Sequence, residues 1–397
     1  MTPERRIRLT AVMTHPIQYY SPWFRFIARE AKEIELKVLY ASEPTPEQQG
    51  VGFEAPFTWD IPLRDGYESE VMRSARAGDR FDSDSFLGLD VPDVGARIER
   101  TEPDAVLLSG WHSITLVRAI QACRRRRIPL LYRGDTHLNG RRPGVRHLPW
   151  RLRTRGLLKR FDRYLSVGRR TREYLRSFGI SEGRVFDSPH AVDNDLFSRE
   201  AAPYQTPGAR RDARKEWGIE ADDFVAIFVG KLSSHKRPSD LLRAAGLMKA
   251  RPVIAIAGWG PLATELSDAG AALHIPVVRL GLLEQSALGR AYAISDCLAL
   301  TSESESWGLV VNEAMATGLP CVVSERVGCA PDLVVPGETG ELFPVGDVAA
   351  LAAALDRLRD ERAAGKSRDG DCRRRVREFS FENATRGLIE ACRSVVK

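Results

Sequence analysis

Thr301–Ser324 reads T-S-E-S-E-S-W-G-L-V-V-N-E-A-M-A-T-G-L-P-C-V-V-S. This stretch decides the fold. Cys297–Leu300, just before it, is a short apolar strand, and Ser302–Trp307 is a polar turn closed by Gly308. Leu309–Ala316 then has helical spacing, stopped by Gly318 and Pro320 ahead of the strand Cys321–Val323. Glu305 lies in the turn and Glu313 in the helix, with seven residues between them. Gly308 admits a ligand close to the backbone, and the first helical turn at Leu309 presents N–H groups that favour anions. A carboxylate there cannot hold a phosphate, but it accepts hydrogen bonds from sugar hydroxyls beside one. The segment therefore suits a phosphorylated sugar or a nucleotide.

Upstream, Phe224–Gly230 is an apolar strand ending in glycine, followed by Lys231 and, in S-S-H-K-R-P, by Lys236. Glycine admits a diphosphate and the two ammonium groups neutralise it. Strands are also expected at Val253–Ala257, ahead of Gly258-Trp259-Gly260-Pro261, and at Val277–Leu280, which carries Arg279 and Leu280.

The Glu305 to Glu313 spacing, with Gly308-Leu309 inside it and Ala314-Met315-Ala316-x-Gly318-x-Pro320 after it, resembles the signature of family 4 (group 1) of the retaining glycosyltransferases. The resemblance implies the α/β GT-B fold: two Rossmann-like domains facing across a cleft, with a C-terminal helix crossing back to the N-terminal domain. It implies transfer of a sugar from a nucleotide diphosphate sugar, of UDP- or GDP-hexose type, to an acceptor nucleophile with retention at the anomeric carbon. Gly230, Lys231, Lys236, Gly258, Arg279, Leu280, Glu305, Glu313 and the N–H groups of Trp307, Gly308 and Leu309 would bind the donor. Among them Glu313 takes the ribose hydroxyls and Glu305 lies near the donor sugar. Lys231, Lys236 and Glu305 are the catalytic candidates on this side. A GT-B epimerase and a non-catalytic nucleotide-sugar-binding protein are the alternative readings.

The N-terminal half departs further from the family. Thr14-His15-Pro16-Ile17-Gln18 stands where relatives often have paired glycines near the diphosphate; His15 and Gln18 can donate to a phosphate or to an acceptor hydroxyl, and are expected at the acceptor. Arg133-Gly134-Asp135-Thr136-His137 occupies the strand end where many relatives place a catalytic His or Asp. Asp135 would polarise the acceptor nucleophile, with Arg133, His137 and His112 lining the same pocket. Asp82-Ser83-Asp84 and Asp193-Asn194-Asp195 both spell Asp-x-Asp, a metal-holding pattern in other glycosyltransferases. With two lysines available to neutralise the diphosphate, neither a metal nor a cofactor is expected.

Around these motifs, short apolar runs alternate with helical patterns, the mark of βαβ units and parallel sheets. The chain divides into a domain over 1–200, a linker over 201–222 that continues the Pro-rich stretch Phe197–Gly208, a nucleotide-sugar domain over 223–376 and a final helix over 377–397. Ala41–Asp93 reads as an irregular insertion. A length of 397 residues suffices for two cores. The short apolar run after the basic N-terminus reads as a first strand and not as a signal peptide, and the six scattered cysteines fit a reducing compartment. The expectation is a cytoplasmic protein, peripheral to the inner face of the membrane if its basic face touches lipid.

Charge is unevenly spread. The net charge is +6, yet Arg118–Arg176 carries nineteen basic residues against three acidic ones, +16. Such a face attracts acidic substrates or anionic membrane. No nucleic-acid-binding motif accompanies it. Pro149–Arg153 through Lys159-Arg160-Phe161 mixes aromatic, aliphatic and basic residues. It fits either a membrane-surface helix or a packed helix with an arginine-rich outer face. The first makes the acceptor a lipid-linked glycan; the second favours a small soluble metabolite.

Overall fold

The computed structural model describes residues 5–49, 56–73, 85–138 and 148–396. The chain forms two compact units, Met1–His190 with Phe381–Lys397, and Ala191–Ser380. In the first, seven strands lie in the order β3-β2-β1-β4-β5-β6-β7. They are β1 (Ile7–Met13), β2 (Ile34–Ser42), β3 (Glu68–Arg73), β4 (Ala105–Leu108), β5 (Leu130–Gly134), β6 (Arg163–Ser166) and β7 (Val185–Asp187). The second unit has six strands in the order β10-β9-β8-β11-β12-β13. These are β8 (Val225–Val229), β9 (Val253–Ala257), β10 (Val277–Gly281), β11 (Cys297–Leu300), β12 (Cys321–Ser324) and β13 (Gly340–Phe343).

Every pairing in both sheets is parallel. Helices cover both faces of such a sheet, so its central strands are apolar throughout instead of alternating: β4, β8, β9 and β11 are buried at every position. Strand order reverses between β1 and β4 in one unit and between β8 and β11 in the other. Loops leaving the carboxyl ends of strands on either side of such a reversal diverge and open a crevice, the usual place for ligands in open α/β sheets. The expected α/β GT-B architecture of two Rossmann-like sheets is therefore present.

Two segments differ from the sequence-based expectation. The insertion over Ala41–Asp93 contains β3, an edge strand whose residues are mostly half-exposed. With one partner and a wet face, it shows no apolar run. Phe197–Gly208, expected as a linker, is mostly folded on the second unit. Asp193 caps the helix Asn194–Ala201 by accepting from Leu196 N at 2.9 Å, and Phe197 packs edge-on against Tyr292 with ring centroids 6.3 Å apart. Asp193 of the second Asp-x-Asp is thus a helix cap. Asp82-Ser83-Asp84 lies outside the described residues.

The final helix, Phe381–Arg393, belongs to the first unit. Its Thr385 accepts from Trp23 Nε1 at 3.0 Å, and its Ala384 carbonyl accepts from Ser188 at 2.8 Å. Much of the basic face is paired. Arg118 grips Asp90 through two nitrogens, Arg124 bonds Asp162, Arg126 pairs with Glu99, and Arg172 with Glu182 and Asp187. Among the described residues no helix is long and apolar enough to cross a membrane.

Candidate functional site

In the second unit, the loops after β8, β9 and β11 meet at the strand-order reversal. Gly230 leaves β8 and Gly258 leaves β9, and a Cβ on Gly258 would lie 1.9 Å from the Gly230 carbonyl oxygen, where φ is +154°. Only glycine allows that approach. The two turns are joined again beyond it, with Leu232 N donating to Trp259 O at 2.9 Å. Arg279 sits over the Trp259 ring, 5.2 Å from its centroid. Leu280 is the extra residue of a bulge, so it drops out of the pairing between β10 and β9.

Lys236 is brought in by a second set of bonds. Thr301, at the exit of β11, donates its hydroxyl to Lys236 O and Arg237 O at 2.9 Å each, and Glu303 N donates to His235 O at 2.8 Å. The Lys236 ammonium then pairs with Glu305, whose Oε1 also accepts from Ser302 at 2.9 Å. Lys231 is exposed at the same strand ends. Gly308 caps the helix Leu309–Ala316 at φ +96°, where a Cβ would lie 2.7 Å from Val327. A side chain there is excluded by backbone and by space alike. Trp307 is buried with its Nε1 on Asn312 Oδ1 at 2.8 Å, so its side chain anchors the turn and only its backbone is offered to a ligand. Glu313 is 1% exposed, and the buried Tyr292 hydroxyl donates to its Oε2 at 2.7 Å.

Around the corresponding reversal in the first unit stand His15, just past β1, and His112, four residues past β4. His15 is half-buried with Nδ1 3.1 Å from the Thr14 hydroxyl, His112 is exposed, and Gln18 and His137 are half-buried. Asp135 follows β5 directly, and its charge is felt by Tyr20, His112, Tyr132 and His190. Arg133, expected at the acceptor, is 3% exposed, and its guanidinium is committed: it bonds Ser188 Oγ at 3.2 Å and Pro189 O at 3.0 Å, and lies 4.3 Å from the Trp23 ring centroid. It contributes charge and rigidity more than a fork open to a ligand.

Two families of known sequences match. The group 1 glycosyl transferases cover residues 209–378, and glycosyltransferase family 4 covers residues 55–196. The chain belongs to the group 1 glycosyltransferases of GT-B fold. It is similar to D-inositol 3-phosphate glycosyltransferase 2 of Catenulispora acidiphila, 35% identical over 47% of this chain and 45% of that protein. It is also similar to N-acetyl-alpha-D-glucosaminyl L-malate synthase of Bacillus anthracis, 34% identical over 37% of this chain and 39% of that one. The chain thus spans less than half the length of these relatives. Among solved structures, HepE of Anabaena, in complex with UDP and glucose, superposes with a TM-score of 0.72 at 17% identity, covering 98% of this chain and 100% of that one. At that identity the likeness speaks for the fold.

In this group 1 glycosyltransferase, two residues join the predicted set. Tyr292 holds Glu313, and His190, at the exit of β7, lies edge-on to Tyr20 at 6.1 Å. Burial, and then the Arg133 charge, push the His190 pKa down, with Asp135 opposing. His190 is therefore neutral at neutral pH. Its place one residue past Pro189 at a strand end was the available signal.

Proposed function

We propose that this glycosyltransferase transfers a hexose from a UDP- or GDP-hexose to an acceptor nucleophile, with retention and without a metal. The observation that carries the reading is the convergence of Lys231, Lys236, Glu305 and the Gly308 helix start on one strand-order reversal. Departure of a nucleoside diphosphate develops negative charge on the leaving oxygen. Lys236, held by Glu305, and a helix N-terminus are fixed in advance and stabilise that charge without reorganising, and the exposed Lys231 adds a second positive charge. Glu305, braced by the buried Ser302 hydroxyl, holds the Lys236 ammonium in place and presents its carboxylate to sugar hydroxyls. HepE, solved with UDP and with UDP-glucose, favours UDP over GDP.

On the acceptor side, Asp135 polarises the incoming nucleophile, flanked by His15, Gln18, His112 and His137, while His190 stays neutral beneath it. The names of the relatives, which act on inositol 3-phosphate or make an L-malate glycoside, favour a small polar acceptor. A lipid-linked acceptor is the second reading. Leu148 and Leu152 are 52% and 61% exposed on the helix Leu148–Leu158, beside exposed Arg153 and Arg155, as on a face that rests on anionic lipid.

Calorimetry with UDP, GDP and ADP, with and without a chelator, tests the donor half. Tight binding of UDP that ignores the chelator is expected; binding that vanishes with chelation would replace the lysine mechanism with a metal one. Product analysis by NMR then separates an α-linked glycoside from inversion, epimerisation or binding alone.

A further inference from the structure

The opposite edge of the second unit's sheet, where the parallel strands begin, holds a cavity of about 350 Å³. It lies between the starts of β11 and β12, the helix Pro207–Glu216 and the chain after the helix Val348–Ala363. That volume is within the range of small-molecule sites, roughly 300–1,000 Å³. Of the residues assigned above, only Tyr292 lines it, with its hydroxyl turned to Glu313 on the donor side.

Its charge is out of balance. Asp296, 4% exposed at its side chain, receives three guanidinium groups: Arg210 at 2.7 Å, Arg214 at 2.9 Å and Arg362 at 2.8 Å. Arg210 and Arg362 line the cavity, while Arg214 is buried behind it on the carbonyls of Ile294, Ala221 and Asp223. The other carboxylates nearby are already matched. Glu361 takes Arg368 through both oxygens at 2.8 Å, Glu341 takes Arg368 and Arg357, and Asp369 takes Arg373. Lys366, exposed at the rim, acts on Glu361 through its field and has no ion-pair partner among the described residues. Over the lining itself, Arg210, Arg362, Lys366 and Arg368 stand against Asp296, Glu361 and Asp369, a surplus of one positive charge. Arg210 also keeps its Nε buried with no hydrogen-bond partner, a donor that a small shift of the side chain would give to a ligand.

We propose that this cavity binds a small anion through a phosphoryl group, as a site separate from the donor site. A phosphoryl group brings three acceptor oxygens to the forked donors of Arg210 and Arg362 and to Lys366, where a monocarboxylate brings two. Inorganic phosphate and a phosphorylated sugar share that chemistry and are distinguished by the test.

The full chain is titrated by calorimetry with inorganic phosphate and, separately, with glucose 6-phosphate. Three variants are compared: Lys366→Glu, Ser367→Asp and Lys236→Ala. Lys366 and Ser367 are exposed at the rim, so the first two substitutions spare the fold, which circular dichroism checks. Both should weaken binding by about tenfold or more. Affinity should fall with salt, and Lys236→Ala, at the far strand ends, should leave it unchanged. Tighter binding of glucose 6-phosphate would add the sugar body to the site; equal affinities would assign the phosphoryl group alone. Absence of binding by both probes, wild-type affinity in both rim variants, or loss of binding in Lys236→Ala would each overturn the proposal. UDP binding is measured alongside, so failure here is separate from failure of the donor reading.

Discussion

Glu313→Gln is the substitution on which the donor reading turns. Glu313 is 1% exposed, and its Oε2 accepts the buried Tyr292 hydroxyl at 2.7 Å. Glutamine keeps the volume and an acceptor oxygen for Tyr292, so the fold is retained while the charge is lost. Hydrogen bonds to a charged acceptor contribute roughly 1.5–3 kcal/mol and neutral ones roughly 0.5–1.5. For two ribose hydroxyls the difference is about 2–3 kcal/mol, or roughly 30- to 150-fold in Kd. Calorimetry with UDP reads this directly. The same titration with 2′-deoxy- and 3′-deoxy-UDP should shrink the gap between wild type and variant, because the hydroxyls that Glu313 serves are then missing. Equal UDP affinities within about twofold would refute the ribose role. Glu313→Ala is a poorer probe. It strands the Tyr292 hydroxyl in the core at about 1–3 kcal/mol, so lost binding would be confounded with lost stability.

Lys236→Ala should lower turnover by about 10²- to 10³-fold, the scale of removing one fixed group that stabilises developing charge; an unchanged rate places the diphosphate elsewhere. Gly258→Ala sets a Cβ 1.9 Å from Gly230 O, so β8 and β9 must part at their exits. A stability loss of about 2 kcal/mol or more is expected in thermal unfolding, together with weakened UDP binding. A fully stable Gly258→Ala variant would show that the two turns are not locked. His190 gives a pH signature. Its pKa is depressed below 6.5 in the folded chain, so the unfolded chain binds the proton first as pH falls. The stability this histidine contributes is complete above about pH 6.5 and is lost toward its lower folded pKa, by at most about 1.4 kcal/mol per pH unit. His190→Phe should flatten that part of the curve, and an identical slope in the variant would mean that other groups set it.

The strand-turn-helix proposed for the donor was legible because its pattern is local. Glu305, Gly308 and Glu313 lie on one strand-turn-helix, and the positive φ and short approaches at Gly258 and Gly308 admit few residue types. What could not be read were the partners. Lys236 meets Glu305 across 69 residues, and Tyr292 meets Glu313 across 21. Nothing in composition or periodicity marks such pairs. Edge strand β3 escaped for a different reason: half-exposed on a single neighbour, Glu68–Arg73 has no apolar pattern to show. The helix Asn194–Ala201 was hidden behind residues that suit turns and helix caps equally well.

The residues proposed at the acceptor show why specificity is harder to read than fold. His15, His112, Asp135 and His190 leave four different strands, β1, β4, β5 and β7, and are gathered only by the sheet order. Each is a residue type that any protein uses, and their spacing in the chain follows from loop lengths and not from chemistry. Arg133 makes the point sharpest. By sequence it is an open cation at a strand end; in the fold it is a buried clamp on Ser188 and Pro189 that lowers the pKa of His190. Its charge therefore reaches the site through a neighbour. Arg133→Lys would keep the charge but lose the fork that holds the exit of β7. The expected result is a histidine whose pKa, read by NMR, moves while UDP binding at the second unit does not. An unmoved His190 pKa would leave Arg133 with a purely structural role.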